Sequence, residues 1–305
     1  MATTTENPYS ISKELLSNYL KVDFTEMQLY RISDYYGGAL SETLASNECL
    51  LPVSDKKDVV YAMADGSMIL TREEQWKEAK LGRIFRGKDC LQPEGKVGKI
   101  KESQYVSHFG GCTDFTEKME RVLDSYGDLN ERLIFITDGA VWLRNWTTDA
   151  YPKAISILDF YHAKEYLCDF AKAYFKDEGE RKAWVEQQTE LLLESQAEQV
   201  IETVQTLSKQ QQNKEAADKL INYYTDNLER MDYKYYQSIG KGLIGSGAME
   251  SSHRTVIQCR MKLSGQRWSK KGAENMLHLR TLKMNKQWDK VVEAIHKYAK
   301  YKIAV

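Results

Sequence analysis

The last proline of this 305-residue chain is Pro152, and no glycine occurs between Gly179 and Gly240. These two residue types mark turns and stop helices, so their joint absence leaves little room for short, turn-bounded strands. Residues 163–238 are also rich in Glu, Gln, Lys, Leu and Ala, which lose little on entering a helix. The expectation is a run of long helices, a bundle. It breaks at "GKGLIGSG" (240–247), and a last helical stretch covers 248–303, interrupted near "LSGQRW" (263–268).

The chain ahead of this block reads differently. "DVVYAMADGSMIL" (58–70) is β-rich and carries an Asp-Gly turn signal, and "KEAKLGRIFRG" (77–87) and "SQYVSHFGG" (103–111) follow as strands. The three are expected to be antiparallel. "TDFTEKMERVLDSYG" (113–127) has helical spacing. "RLIFITDGA" (132–140) is a short continuous apolar run, the mark of a strand buried on both faces. "AVWLRNWTTDAYP" (140–152) reads as a turn or short helix, and "KAISILDFYH" (153–162) as another buried strand. The order β-β-β-α-β-α-β predicts an α/β fold: a mixed sheet with helices on both faces, and the bundle inserted after its last strand.

Residues 9–48 read as short helices, in "SKELLSNYL" and "TEMQLYRISDYYG". They suit either a helix-turn-helix or a helical collar on the main domain. Hydrophobic content of 42% and charged content of 29% are those of a folded chain with a proper core. The net charge of −1 hides an asymmetry: residues 240–305 hold fourteen Lys or Arg and four Asp or Glu. Such a basic block on an acidic body either tracks phosphates or forms a solvated helix face. Cys49, Cys90, Cys112, Cys168 and Cys259 are scattered, with no CxxC pair, which speaks against a disulfide framework or a zinc ribbon and fits a reducing cytoplasm. No apolar run approaches the ~20 residues of a spanning helix, and "MATTTENPYS" lacks the pattern of a secretory signal.

Carboxylates in unusual places draw attention. Asp65 stands among Tyr61, Met63 and Met68, where a strand carboxylate is costly unless paired or bound to a cation; the alternative is a strand-end turn. Asp138 ends an apolar strand, and ligands of α/β sheets gather outside the carboxyl ends of strands. Neighbouring strands lie about 4.8 Å apart, so carboxylates on adjacent strands could share metal ions. Glu250 falls in the first turn of a helix that Ser246 can cap, between flexible Gly245 and Gly247 and basic Arg254. It is either a helix-dipole charge paired with Arg254 or part of a site. Asp159 and His162 form a D-x-x-H pair without further ligands at zinc spacing; a structural His bonded to Asp is the alternative. Arg254, Arg260, Lys262, Gln266, Arg267, Trp268, Lys270 and Lys271 combine cations with one flat aromatic, as DNA contacts do, although Trp268 could equally pack a helix corner. Phosphate-binding P-loop, dinucleotide-binding, G-x-S-x-G and H-E-x-x-H motifs are missing.

The series "ADGSM", "ITDGAVWLRNW", "ILDFYHAKEYL" and "IGSGAMESSHRTVIQCRMKLSGQRWSKKGAENMLHLR" resembles bacterial insertion-sequence transposases of the DDE class. It is most similar to the ISKra-type group, allied to the Mutator and hAT transposases, over roughly residues 57–290. The resemblance implies a ribonuclease-H-like mixed sheet with a large all-α insertion between the last core strand and the helix bearing the catalytic Glu. It implies Asp65, Asp138 and Glu250 as catalytic and metal-holding carboxylates, two Mg²⁺ ions replaceable by Mn²⁺, and Asp159 and His162 as support near the scissile phosphate. The blocks are then 1–56, an N-terminal helical segment and DNA-binding remnant; 57–162, the first part of the core; 163–239, the insertion; and 240–305, the last part of the core with basic helices. The N-terminal part is shorter than in many such transposases, which recognise transposon ends with it.

The implied reaction is metal-dependent cleavage of double-stranded DNA at transposon ends, then strand transfer into target DNA by the freed 3′-hydroxyl. The implied setting is the prokaryotic cytoplasm and nucleoid, with no membrane, as a homodimer or higher homo-oligomer on DNA. Three rivals stay open: a nuclease or resolvase of the same fold without strand transfer, a catalytically silent transposase-derived DNA-binding protein, and a helical scaffold that self-associates through 163–238.

Overall fold

The computed structural model describes residues 1–45, 50, 57–91, 98–209 and 214–299. Cys49, the expected boundary at 56 and the end of the C-terminal stretch, 300–305, lie outside these. The chain begins with helices α1 (Ala2–Glu6), α2 (Tyr9–Leu20) and α3 (Glu26–Ala45). Strands β1 (Val60–Leu70) and β2 (Trp76–Arg86) form a hairpin, followed by the small pair β3 (Cys90–Leu91) and β4 (Lys99–Ile100) and by β5 (Gln104–Phe109). Then come α4 (Cys112–Asp124), β6 (Leu133–Thr137), α5 (Val141–Ala150), β7 (Ile155–Leu158) and α6 (Phe160–Tyr174). The bundle is α7 (Glu178–Leu193), α8 (Ala197–Ser208), α9 (Glu215–Asn227) and α10 (Tyr233–Ser238). The chain closes with α11 (Gly247–Ser252), a π-helical turn (His253–Gln258), α12 (Cys259–Met261), α13 (Lys270–Met284) and α14 (Trp288–Tyr298).

The main sheet is mixed, in the order β5-β2-β1-β6-β7. β5, β2 and β1 are antiparallel, while β1, β6 and β7 run parallel. Alternation along β1 assigns the two layers. Tyr61, Met63 and Ile69 join Leu81, Ile134, Ile136 and Ile157 in one cluster, which extends through α6 and the bundle. Val60, Ala62 and Ala64 join Ile84, Leu133 and Phe135 in the other, beneath α4 and α5. The bundle therefore shares its core with one face of the sheet.

Several expectations change. The Asp65–Gly66 pair is not a turn: Asp65 lies opposite Leu81 inside the hairpin, whose turn is at 71–75 with Gln75 at φ 57°. Within 140–152, the short-helix alternative holds, over Val141–Ala150. The strand expected over 153–162 stops at Leu158, because Asp159 caps a helix by accepting from Tyr161 N–H at 2.8 Å. That helix, α6, crosses the expected boundary at 162/163. Of the N-terminal readings, packing against the main domain is what the structure contains. Thr25 and Gln28 open α3 with a reciprocal capping box. The helix then runs through Gly37, where a side chain would collide with the backbone of Asn275 on α13. Among the described residues, no helix is long and apolar enough to cross a membrane.

Candidate active site

Strand register brings Asp65 and Asp138 near one another, although Asp138 is not among the residues that line the cleft described below. The last parallel pair between β1 and β6 is Ala64 opposite Thr137, so the next residues along the two strands are Asp65 and Asp138. Asp65 belongs to the β1 face that carries Tyr61 and Met63, whose apolar neighbours end there. Its Oδ1 accepts from Gly66 N–H at 2.6 Å, and its Oδ2 lies 3.1 Å from His253 Nε2. Burial pushes its pKa up, but His253 and the Gly66 N–H outweigh burial and hold the carboxyl below its ordinary range. Asp138 takes the opposite direction. Burial raises its pKa and the neighbouring Asp65 charge adds to that, against one bond from Ala140 N–H at 3.0 Å.

β7 ends one strand further on and delivers Asp159, which is 1% exposed. Its Oδ2 accepts from Ser246 Oγ. Ser246 therefore tethers its loop to Asp159 and makes no side-chain cap to α11, contrary to the capping expected of it. The positive φ angles before that helix fall at Gly240 and Gly242, not at Gly245 or Gly247. His162, on the first turn of α6, has Nδ1 3.1 Å from Glu165 Oε2 and Nε2 3.9 Å from Asp159 Oδ2. Burial alone would lower its pKa, but Asp159, Glu165 and Asp138 together raise it.

Glu250 arrives from the other end of the chain. Met249 anchors α11 in the core, and Arg83 of β2 pins the helix by donating to Ala248 O at 2.8 Å and Ser252 Oγ at 3.2 Å. Three residues after Glu250, buried His253 reaches Asp65 and opens a π-helical turn, a feature often found at functional sites. Asp65, Asp159, His162, Glu165, Ser246, Glu250 and His253 line one cleft of ≈ 470 Å³. Glu250 itself is 78% exposed and lies 3.8 Å from Arg254, the helix pair that sequence offered as its alternative role. Among the described residues, no three His, Cys, Asp or Glu side chains gather closely enough to hold a metal ion. The donor set is nonetheless that of a hard divalent cation, mostly carboxylate oxygen. Burial raises Asp138 most, and the smaller contribution of the Asp65 charge is a repulsion that a cation would relieve.

The basic segment divides in two. Arg260 and Trp268 are buried and face no solvent, which corrects their expected role as DNA contacts. Arg260 donates to Thr4 O at 2.7 Å and sits 5.0 Å from the ring centroids of both Tyr9 and Trp268, whose Nε1 donates to Met261 O. Arg254, Lys262, Arg267 and Lys271 are exposed. Lys262 Nζ donates to Ser67 Oγ at 3.2 Å, two residues from Asp65. Lys270 pairs with Glu74 at 2.5 Å, and Gln266 turns back to accept from Leu263 N–H.

His253 escaped the sequence reading, although its spacing from Glu250 puts both on one helical face. Glu165 carried no local signal.

Fold and site together define a mixed α/β protein with an acidic, histidine-bearing cleft at the carboxyl ends of its parallel strands. The chain belongs to UPF0236, an uncharacterised protein family whose model matches residues 41–297. A relative described as the UPF0236 protein in the vanSb 3′ region of Streptococcus gallolyticus is 26% identical over 239 residues, which cover 75% of this chain and 50% of the relative. The chain thus spans about half the length of the curated relative it matches.

Proposed function

We propose that this chain is a DNA transposase of the DDE class with a ribonuclease-H-like core, and that Asp65, Asp138 and Glu250 are its catalytic carboxylates. The observation that carries the reading is the β1/β6 register, which makes Asp65 and Asp138 neighbours across two parallel strands. The strand order β5-β2-β1-β6-β7, with three antiparallel strands followed by two parallel ones, supports the fold. The α11 helix supports it too, bringing Glu250 to the cleft after the helical block.

Asp65 and Asp138 would hold Mg²⁺, or Mn²⁺ in its place, with Glu250 joining them once its exposed side chain turns from Arg254. Bound there, the ions supply Lewis-acid polarisation of a scissile phosphate and activation of the attacking oxygen. The chain's own groups do the rest. His253 and the Gly66 N–H keep Asp65 ionised. His162 holds its proton to higher pH than a free imidazole and so offers phosphate oxygens a cationic donor. Arg254, Lys262, Arg267 and Lys271 supply exposed positive charge to a DNA backbone that the carboxylates would repel.

The test uses the full chain, Mg²⁺ or Mn²⁺, and duplex DNA carrying the sequences on either side of the gene, with any inverted repeats found there. Nicks at the repeat ends and joined products from a 3′-hydroxyl donor are expected, and both should vanish in Asp138→Asn. Cutting without joining would move the assignment to a nuclease. Binding without metal-dependent cutting would leave a silent DNA-binding protein. Self-association without DNA and without nicking would leave a scaffold.

A further inference from the structure

The bundle reaches into the candidate site through two side chains. Tyr223 of α9 accepts at Oη from Gly139 N–H, 3.1 Å away, and Gly139 directly follows Asp138. A Cβ at Gly139 would overlap the Tyr223 ring, so this approach requires glycine there. The ring is fixed in turn by stacking on Tyr166 of α6, with centroids 3.8 Å apart and planes 6° from parallel. Arg230 lies in the turn after α9 and is 6% exposed. It donates to Thr137 Oγ1 at 2.6 Å and Ile157 O at 3.2 Å, and more loosely to Thr137 O and Asp138 O, both at 3.4 Å. Asn227 Oδ1 also accepts from Nη1, the nitrogen that reaches Asp138 O, at 3.0 Å.

These bonds gather the carbonyl-bearing ends of β6 and β7, from which Asp138 and Asp159 emerge. Burying a guanidinium is costly unless it is well bonded, and here much of its hydrogen bonding goes to this one turn. A bundle serving only as a surface for DNA or for another copy would have no need of such contacts.

We propose that Tyr223 and Arg230 are positioning residues for Asp138: the helical bundle sets the backbone from which that carboxylate projects. The inference rests on reading Asp138 as a metal-holding group. It makes the bundle part of the active site. A ligand that shifts α9 against α6 would then move Asp138.

The experiment compares the full-length wild type with Tyr223→Phe, which removes one oxygen, and with Arg230→Lys and Arg230→Met. Thermal melting checks that each is folded. Amide hydrogen exchange at Gly139 reads the brace without any activity, and Mn²⁺ titration reads the carboxylates. Loss of the Tyr223 hydrogen bond should speed Gly139 exchange by about five- to tenfold and weaken Mn²⁺ binding severalfold, with the melt close to wild type. Arg230→Lys should keep more Mn²⁺ affinity than Arg230→Met. Unchanged exchange in Tyr223→Phe overturns the proposal, as does faster exchange with unchanged Mn²⁺ affinity. Wild-type protein that takes up no Mn²⁺ would instead sink the metal reading of the site. Exchange alone then decides the brace: faster at Gly139 upholds it, unchanged overturns it.

Discussion

Arg260 and Arg267 are seven positions apart in one basic segment, and only their surroundings separate their roles. Arg260 is enclosed between Tyr9 and Trp268, whereas Arg267 is open to solvent. An exposed cation that meets a DNA phosphate releases about one counterion. Arg267→Ala should therefore lower the slope of log affinity against log salt by about one unit. Arg260→Ala should leave that slope alone and destabilise the fold by ~2–4 kcal/mol, through a lost large side chain in a closed site. Salt-dependent binding and chemical denaturation of the two variants would check this, and a change of slope in Arg260→Ala would return that residue to the DNA surface. At the cleft, Asp65→Asn or Glu250→Gln should lower metal-dependent nicking by on the order of 10³-fold. Exposed Glu250→Gln should leave the melting temperature nearly unchanged, whereas Asp65→Asn, which gives up the charge that His253 and the Gly66 N–H stabilise, should melt somewhat lower. Near-wild-type nicking by either would remove that residue from the site. The chemical type of these carboxylates was legible from their setting in apolar or glycine-flanked sequence. The partners that tune them were not, since Asp65 takes its imidazole neighbour from position 253 and Asp138 is raised by burial and then by the charge of Asp65.

Among the elements, the seam between α3 and α13 has a pH dependence of its own. His278 is buried there, and its Nδ1–H donates to Gly37 O at 3.0 Å. Burial lowers its pKa from 6.5 to about 4, so the unfolded chain binds a proton that the folded chain refuses. Stability should fall as pH drops from 6.5 toward 4, by up to about 3 kcal/mol from this one group. His108, also lowered, mainly by burial and then by Lys118, acts in the same direction. Asp65, whose pKa is depressed, adds stability that is lost only at more acid pH, as it protonates below its ordinary value of 3.8. Melting curves of wild type and His278→Gln between pH 7.5 and pH 4.5 would test this; parallel losses in both would assign the acid sensitivity elsewhere. Neither the seam nor its histidine shows in the sequence, where the helical stretch "TEMQLYRISDYYG" reaches only to Gly37. Docking of α13 against Gly37 carries the helix past that point instead.

Over the whole molecule, the chain leaves the sheet after β7, builds the bundle and returns as α11 to close the cleft. If the bundle braces Asp138, replacing 178–238 by a short linker should abolish metal-dependent nicking. Basal DNA binding through Arg254, Lys262, Arg267 and Lys271 would persist wherever the remainder stays folded. Retained nicking in that variant would make the bundle a separable module. By itself, the sequence determined the helical block, the alternating and continuous strands and the order in which they follow one another. Each of these depends on local backbone preference and on periodicity within a dozen residues. It also marked Asp65, Asp138 and Glu250 as residues out of keeping with their neighbourhoods. Only the tertiary structure decided that Asp65 and Asp138 share a register, that His253 serves Asp65, that Arg260 and Trp268 face inward, and that Tyr223 and Arg230 hold the turn after β6. Each of those facts joins positions that chain crossings and strand pairing bring together, and such contacts leave no periodic trace in the chain that makes them.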